Sequence, residues 1–95
     1  MLPGLTSKVS EGFLASAATI YPKTDVVYLS GTTGVNTIVP AFGGGFSGIL
    51  FLVTTDGAVT LGTSGNISKA ATTVQNQILV MIYSKKLGKW VPGAL

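Results

Sequence analysis

Residues 48–61 read GILFLVTTDGAVTL, and the first half of that stretch decides the class of fold. Ile49, Phe51 and Val53 fall on one face of an extended strand and Leu50 and Leu52 on the other, so both faces are apolar. Such a strand is covered twice, once by its own core and once by a neighbour. Asp56-Gly57 then separates it from AVTLG, and a D-G pair between β-branched runs predicts a tight hairpin, with strands at about 48–55 and 58–62 pairing antiparallel.

Working outward, the period stays at two from Thr19 onward. TDVVYLSG alternates Val26 and Tyr28 against Val27 and Leu29, and VNTIVP sets Val35, Thr37 and Val39 against Asn36 and Ile38. GTSGN at 62–66 is a second turn cluster, and QILVMIYS is the last long strand. KKLGK turns that strand into a short WVP, giving a C-terminal hairpin. No stretch after Tyr21 sustains a 3.6-residue apolar period, and no long internal repeat is visible in the letters. The fold expected is a compact antiparallel β-sandwich or barrel-like domain over residues 19–95.

The first 18 residues differ. Leu5, Val9 and Phe13 stand at i, i+4 and i+8, as on one face of a short helix, but Gly4, Gly12 and three serines weaken that reading. The alternative is an extended N-terminal arm lying over a neighbouring subunit, with Leu5, Val9 and Phe13 as its gripping residues.

The bulk properties also point to neighbours. The chain of 95 residues is 46% hydrophobic and only 9% charged, against roughly 25% charged in an ordinary domain. A chain this short buries only about 60–65% of the surface its unfolded form exposes. With no cysteine to form disulfides or thiolate metal sites, oligomerisation is the remaining source of stability. Ile49 to Val53 is far too short to span a membrane, and the N-terminus lacks the continuous apolar region of a secretory signal. The chain is expected to be made in the cytoplasm, complete, with no membrane partner.

Several chemistries are hard to assemble from these residues. Histidine, cysteine and arginine are all absent, so one chain cannot form a Ser-His-Asp or Cys-His nucleophile or a His- or Cys-based metal site. The side-chain carboxylates are Glu11, Asp25 and Asp56, scattered rather than paired. Lys85, Lys86 and Lys89 crowd one turn, and with no arginine they read as a solvated turn rather than a nucleic-acid surface. GGGFSG at 43–48 has the G-x-G-x-x-G spacing of a dinucleotide fingerprint, but it leads into a strand where a helix is required. Its glycines instead allow positive φ and close backbone approach, as near the axis of a symmetric oligomer. The expectation is a protein with no enzymatic activity and no cofactor. Dispersed aromatic residues serve packing, and Phe46 and Trp90 are candidate interface residues, Trp90 being the best candidate for an exposed aromatic.

The order of these features resembles a β module of tailed-bacteriophage virion proteins. The residues that carry the resemblance are Thr37-Ile38, Gly48 to Val53, Asp56-Gly57, Leu61, Gly65-Asn66-Ile67, Ile78 to Tyr83 and Gly88-Lys89-Trp90, spread over about residues 24–93. In larger proteins such modules occur in tail fibres and receptor-binding proteins, typically as trimers. Standing almost alone, this one looks like a small capsid decoration or cement protein. The resemblance implies a homotrimer on the virion surface bound to the major capsid protein, with a fibre component binding a host glycan as the alternative.

Overall fold

A computed structural model describes residues 8–93, which form nine strands and no helix. The strands are β1 (Glu11–Ala15), β2 (Thr19–Ile20), β3 (Val26–Ser30), β4 (Thr37–Ile38), β5 (Gly48–Thr54), β6 (Thr60–Leu61), β7 (Ala71–Thr72), β8 (Ile78–Ser84) and β9 (Lys89–Pro92). Five of them form the main sheet in the order β1-β3-β5-β8-β9, while β2 pairs β4 and β6 pairs β7 in two short ladders.

The main sheet is mixed, which corrects the antiparallel expectation. β1 runs parallel to β3 (Glu11 opposite Val26) and β3 parallel to β5 (Val26 opposite Phe51). Parallel neighbours need a crossover, and a helix usually supplies it. Here residues 16–25 and 31–47 cross without one, and each contains a short strand. β2 and β4 run parallel to each other, and Val35 forms a parallel bridge to Leu61 of β6. The crossovers thus satisfy one another's backbone groups, as a helix would do internally. The path is a short solenoid in which each coil adds one strand to the main sheet and one to a second layer. The antiparallel strands β8 and β9 close it.

The hairpin expected at Asp56-Gly57 does not form. β5 is central, bonded to β3 on one side and β8 on the other, and has no edge left for residues 58–62. A type I′ turn also needs positive φ at both central residues, and neither Asp56 nor Gly57 has it. The Asp56 carboxylate instead accepts the N–H of Gly31 at 2.6 Å, a glycine in the left-handed region at φ 72°. The C-terminal hairpin does form as expected: Ser84 pairs Lys89, and Gly88 at φ 64° makes the turn.

One core lies between the inner face of the main sheet and the second layer. Val27, Leu29, Leu50, Leu52, Leu79 and Met81 meet Ile20, Val35, Ile38, Val59, Leu61 and Ile67 there, all fully or nearly fully buried. Trp90, expected as an exposed aromatic, is in this core at 1% exposure, which corrects that reading. Its Nε1–H donates to the Ile38 carbonyl at 2.9 Å, and its ring packs edge-on against Tyr83 and Phe42.

Asn66 completes this junction. Its Oδ1 accepts the Ile38 N–H at 2.8 Å and its Nδ2 donates to the Ile38 carbonyl at 2.6 Å, so the side chain stands in for a strand beside β4. The Asn66 carbonyl accepts the Trp90 N–H at 2.8 Å, and Ser68 N–H donates to the Trp90 carbonyl at 2.8 Å. A Cβ on Gly65 would collide with the backbone of Asn36 and the hydroxyl of Thr37.

The glycine-rich loop has a local explanation. Gly43 sits at φ 76° after a turn closed by its N–H to the Pro40 carbonyl. Gly48 carries the Phe42 ring so closely that a Cβ would stand 2.6 Å from it.

Candidate interaction surface

The same alternation that fills the core leaves a second apolar set on the outer face of the main sheet. Register places Phe13, Tyr28, Val53 and Ile78 in one row across β1, β3, β5 and β8, then Val26, Phe51 and Val80, then Ile49, Ile82 and Val91. Phe13 is 80% exposed, Ile49 and Ile78 55% each, and Ile82 47%. Together with Val80 and Val91 these side chains offer on the order of 600 Å² of apolar surface, the upper end of what a typical monomer shows in one patch.

Charge is confined to two edges of this face, Glu11 on β1 and Lys89 on β9. Glu11 is already engaged: the Tyr28 hydroxyl donates to its Oε2. That hydrogen bond, with smaller contributions from desolvation and the carboxylate charge, raises the phenol above its ordinary 10.0. Phe13 stacks on the Tyr28 ring at 5.3 Å between centroids. The strip along β1 and β3 is therefore aromatic at its centre, with its one carboxylate held at the margin by Tyr28.

The expected interface residues separate into groups. Phe13 is on the outer face, where β1 holds it at the sheet edge, and Val9 is exposed just before that strand. Phe46 is 67% exposed on the glycine-rich loop. Trp90 is in the core, and Leu5 lies outside the described residues. The short-helix alternative for residues 1–18 is not the conformation of its described part, because Glu11–Ala15 is a strand of the main sheet. Serines fasten both ends of that strand. Ser10 N–H and Oγ–H both donate to Asp25 Oδ2 at 3.1 Å, its Oγ accepts the Asp25 N–H at 2.9 Å, and Ser16 Oγ accepts the Thr33 N–H at 3.0 Å.

Ile78, Val80, Ile82 and Val91 were not among the candidates read from the sequence. The signal was present, since Ile78–Ser84 is apolar at six successive positions, as Ile49 to Val53 is at five.

Each carboxylate is committed separately: Glu11 to Tyr28, Asp25 to Ser10, and Asp56 to Gly31. Among the described residues no three acidic side chains gather as a metal cluster would require. The recess bounded by Lys23, Asp25, Phe42, Ile49 and Trp90 holds about 120 Å³, and larger grooves of about 320 and 220 Å³ flank β1. Comparison of the chain with family models, curated proteins and solved structures gives no match.

Proposed function

We propose that this chain is a virion structural protein without enzymatic activity. It acts as a capsid decoration or cement protein, laying the outer face of its main sheet on the major capsid lattice at the virion surface. The observation that carries this reading is the outer face itself, with its apolar rows and its charge held at the edges. Covering 600 Å² of it corresponds to about 15 kcal/mol of gross hydrophobic stabilisation, a large part of which offsets the cost of association. Repetition over a shell then adds avidity to contacts that are weak one at a time. The order of sequence motifs supports the same class of protein.

The fibre reading, with a host glycan as ligand, has less support. It requires exposed aromatic and polar groups converging in a groove, whereas Trp90 is buried with its N–H already bonded to Ile38.

Co-sedimentation with undecorated capsid shells of the encoding phage tests the proposal. Ile82→Asp places a carboxylate among the exposed apolar side chains of the outer face without touching the core, and binding is expected to fall at least tenfold. Undiminished occupancy by that variant, or binding to a glycan array in place of shells, would overturn the reading.

A further inference from the structure

The two edges of the main sheet are built differently. At β9 the outward backbone groups are already used: Trp90 bonds Asn66 and Ser68, and Pro92, at the next outward position, has no N–H. Lys89 adds a charge there, so this edge carries the features that block further pairing.

At β1 the outward backbone groups are not used in this way and no proline stands among them, and the one charge, Glu11, accepts the Tyr28 hydroxyl. The bonds from Val26 N–H to the Ser10 carbonyl and from Ser16 N–H to the Ser30 carbonyl fix the phase of the ladder. Gly12 and Leu14 therefore turn their backbone groups toward β3, and Glu11, Phe13 and Ala15 turn theirs outward. Among the described residues nothing pairs with them. Grooves flank this edge on both faces. One of about 320 Å³ lies by Phe13, Ala15, Tyr28 and Ser30, and another of about 220 Å³ lies by Gly12, Thr24, Tyr21 and Val27.

We propose that this edge is a self-association site, at which β1 of a second copy pairs antiparallel to β1 about a two-fold axis through Phe13. In that register Phe13 faces Phe13, so each outward group meets its complement and about six backbone hydrogen bonds form across the axis. Glu11 faces Ala15, so no like charges oppose. Gly12 faces Leu14, so no two large side chains oppose on the inner face, where Thr24 covers Gly12 and Leu14 stays packed on its own core. The strand is complementary to itself, which a foreign peptide would have to match by chance. The pairing is isologous and closes at two copies, not at the three the sequence resemblance implies. It joins two outer faces into one apolar surface, and it stands whether or not that surface meets a capsid.

Light scattering of the full chain is expected to give a dimer of the 9.7 kDa subunit. Phe13→Pro deletes an outward N–H while leaving the β1–β3 ladder its bonds, and is expected to yield a folded monomer. Because the chain has no cysteine, a spin label on Phe13→Cys reports the axis directly, with a label on Ile82→Cys as the control. Dipolar broadening at position 13 and not at 82 is the expected result, and it holds even if the proline variant fails to fold. A monomeric wild type, a trimer, broadening at 82 alone, or a folded Phe13→Pro that stays dimeric would each overturn the proposal. Dimer formation with no shell binding would overturn only the capsid reading.

Discussion

Replacing Asn66 with alanine should be among the most damaging single changes outside the apolar core. Ile38 is completely buried, and its N–H has Asn66 Oδ1 as its partner. Truncation strands that N–H, at about 1–3 kcal/mol. It also removes the bond from Nδ2 to the Ile38 carbonyl, worth about 1 kcal/mol, although that carbonyl keeps Trp90 Nε1–H. The total is about 2–4 kcal/mol, and with a urea slope of about 1–2 kcal/mol per molar the midpoint should fall by roughly 2 M. The chain has one tryptophan and it is buried at this junction, so its fluorescence reports the transition without a label. Trp90→Phe, followed by circular dichroism, loses one of the two donors to the same carbonyl, and its cost should not add to that of Asn66→Ala. A loss below about 1 kcal/mol for Asn66→Ala would refute the reasoning, because it would mean that water replaces the amide at Ile38.

Three further outcomes are expected. Thr73 Oγ1 accepts the Val59 N–H at 2.8 Å and contacts Thr54 Oγ1 at 2.8 Å in a buried setting; Thr73→Val keeps the shape but should cost about 2–3 kcal/mol in chemical denaturation. Gly48→Ala puts a methyl group against the Phe42 ring, and should cost about 1–3 kcal/mol while perturbing the near-ultraviolet dichroism of the Phe42, Tyr83 and Trp90 cluster. In an alkaline phenolate absorbance titration Tyr28 should ionise above the ordinary 10.0, and Glu11→Gln should bring it down. Because the folded value is the raised one, this contact favours the folded state below the ordinary phenol range and is lost as pH climbs through the raised value.

Much of the fold was legible where side-chain alternation alone decides it. Val27 and Leu29 are in the core while Val26 and Tyr28 lie on the other face, and the KKLGK turn closes a hairpin as its glycine requires. What alternation does not encode is the partner of each strand. Parallel pairing of β1, β3 and β5 depends on crossovers that bond to each other across the second layer, and no local motif marks them. The coil repeat is likewise in the backbone path and not in the letters. Asp56-Gly57 misled because a hairpin signal assumes a free edge, and β5 has none. Trp90 misled because its nearest neighbours in sequence are a charged turn, whereas its partners, Ile38 and Asn66, are remote along the chain. For the interaction surface, the doubly apolar β5 was the legible part, and the exposure of Ile49 and Ile82 follows from it.

The motif residues divide between those that serve the backbone and those that offer a surface, since Gly48 to Val53 and Ile78 to Tyr83 contribute Ile49, Ile78 and Ile82 to the outer face. Thr37-Ile38, Gly65-Asn66-Ile67 and Trp90 converge on one junction, where the Asn66 amide, the Trp90 indole and the absent Gly65 side chain all serve the backbone around Ile38. Each is required by a contact inside the chain, so together they specify how the solenoid closes and not what it touches. Ile49, Ile78, Ile82 and Val91 make no such demand, because their outward side chains leave the ladder bonds unchanged. Changes on the outer face are therefore expected to leave the fold intact. On the readings proposed above, recognition belongs to those rows, and the open β1 edge sets how many copies of them are presented together.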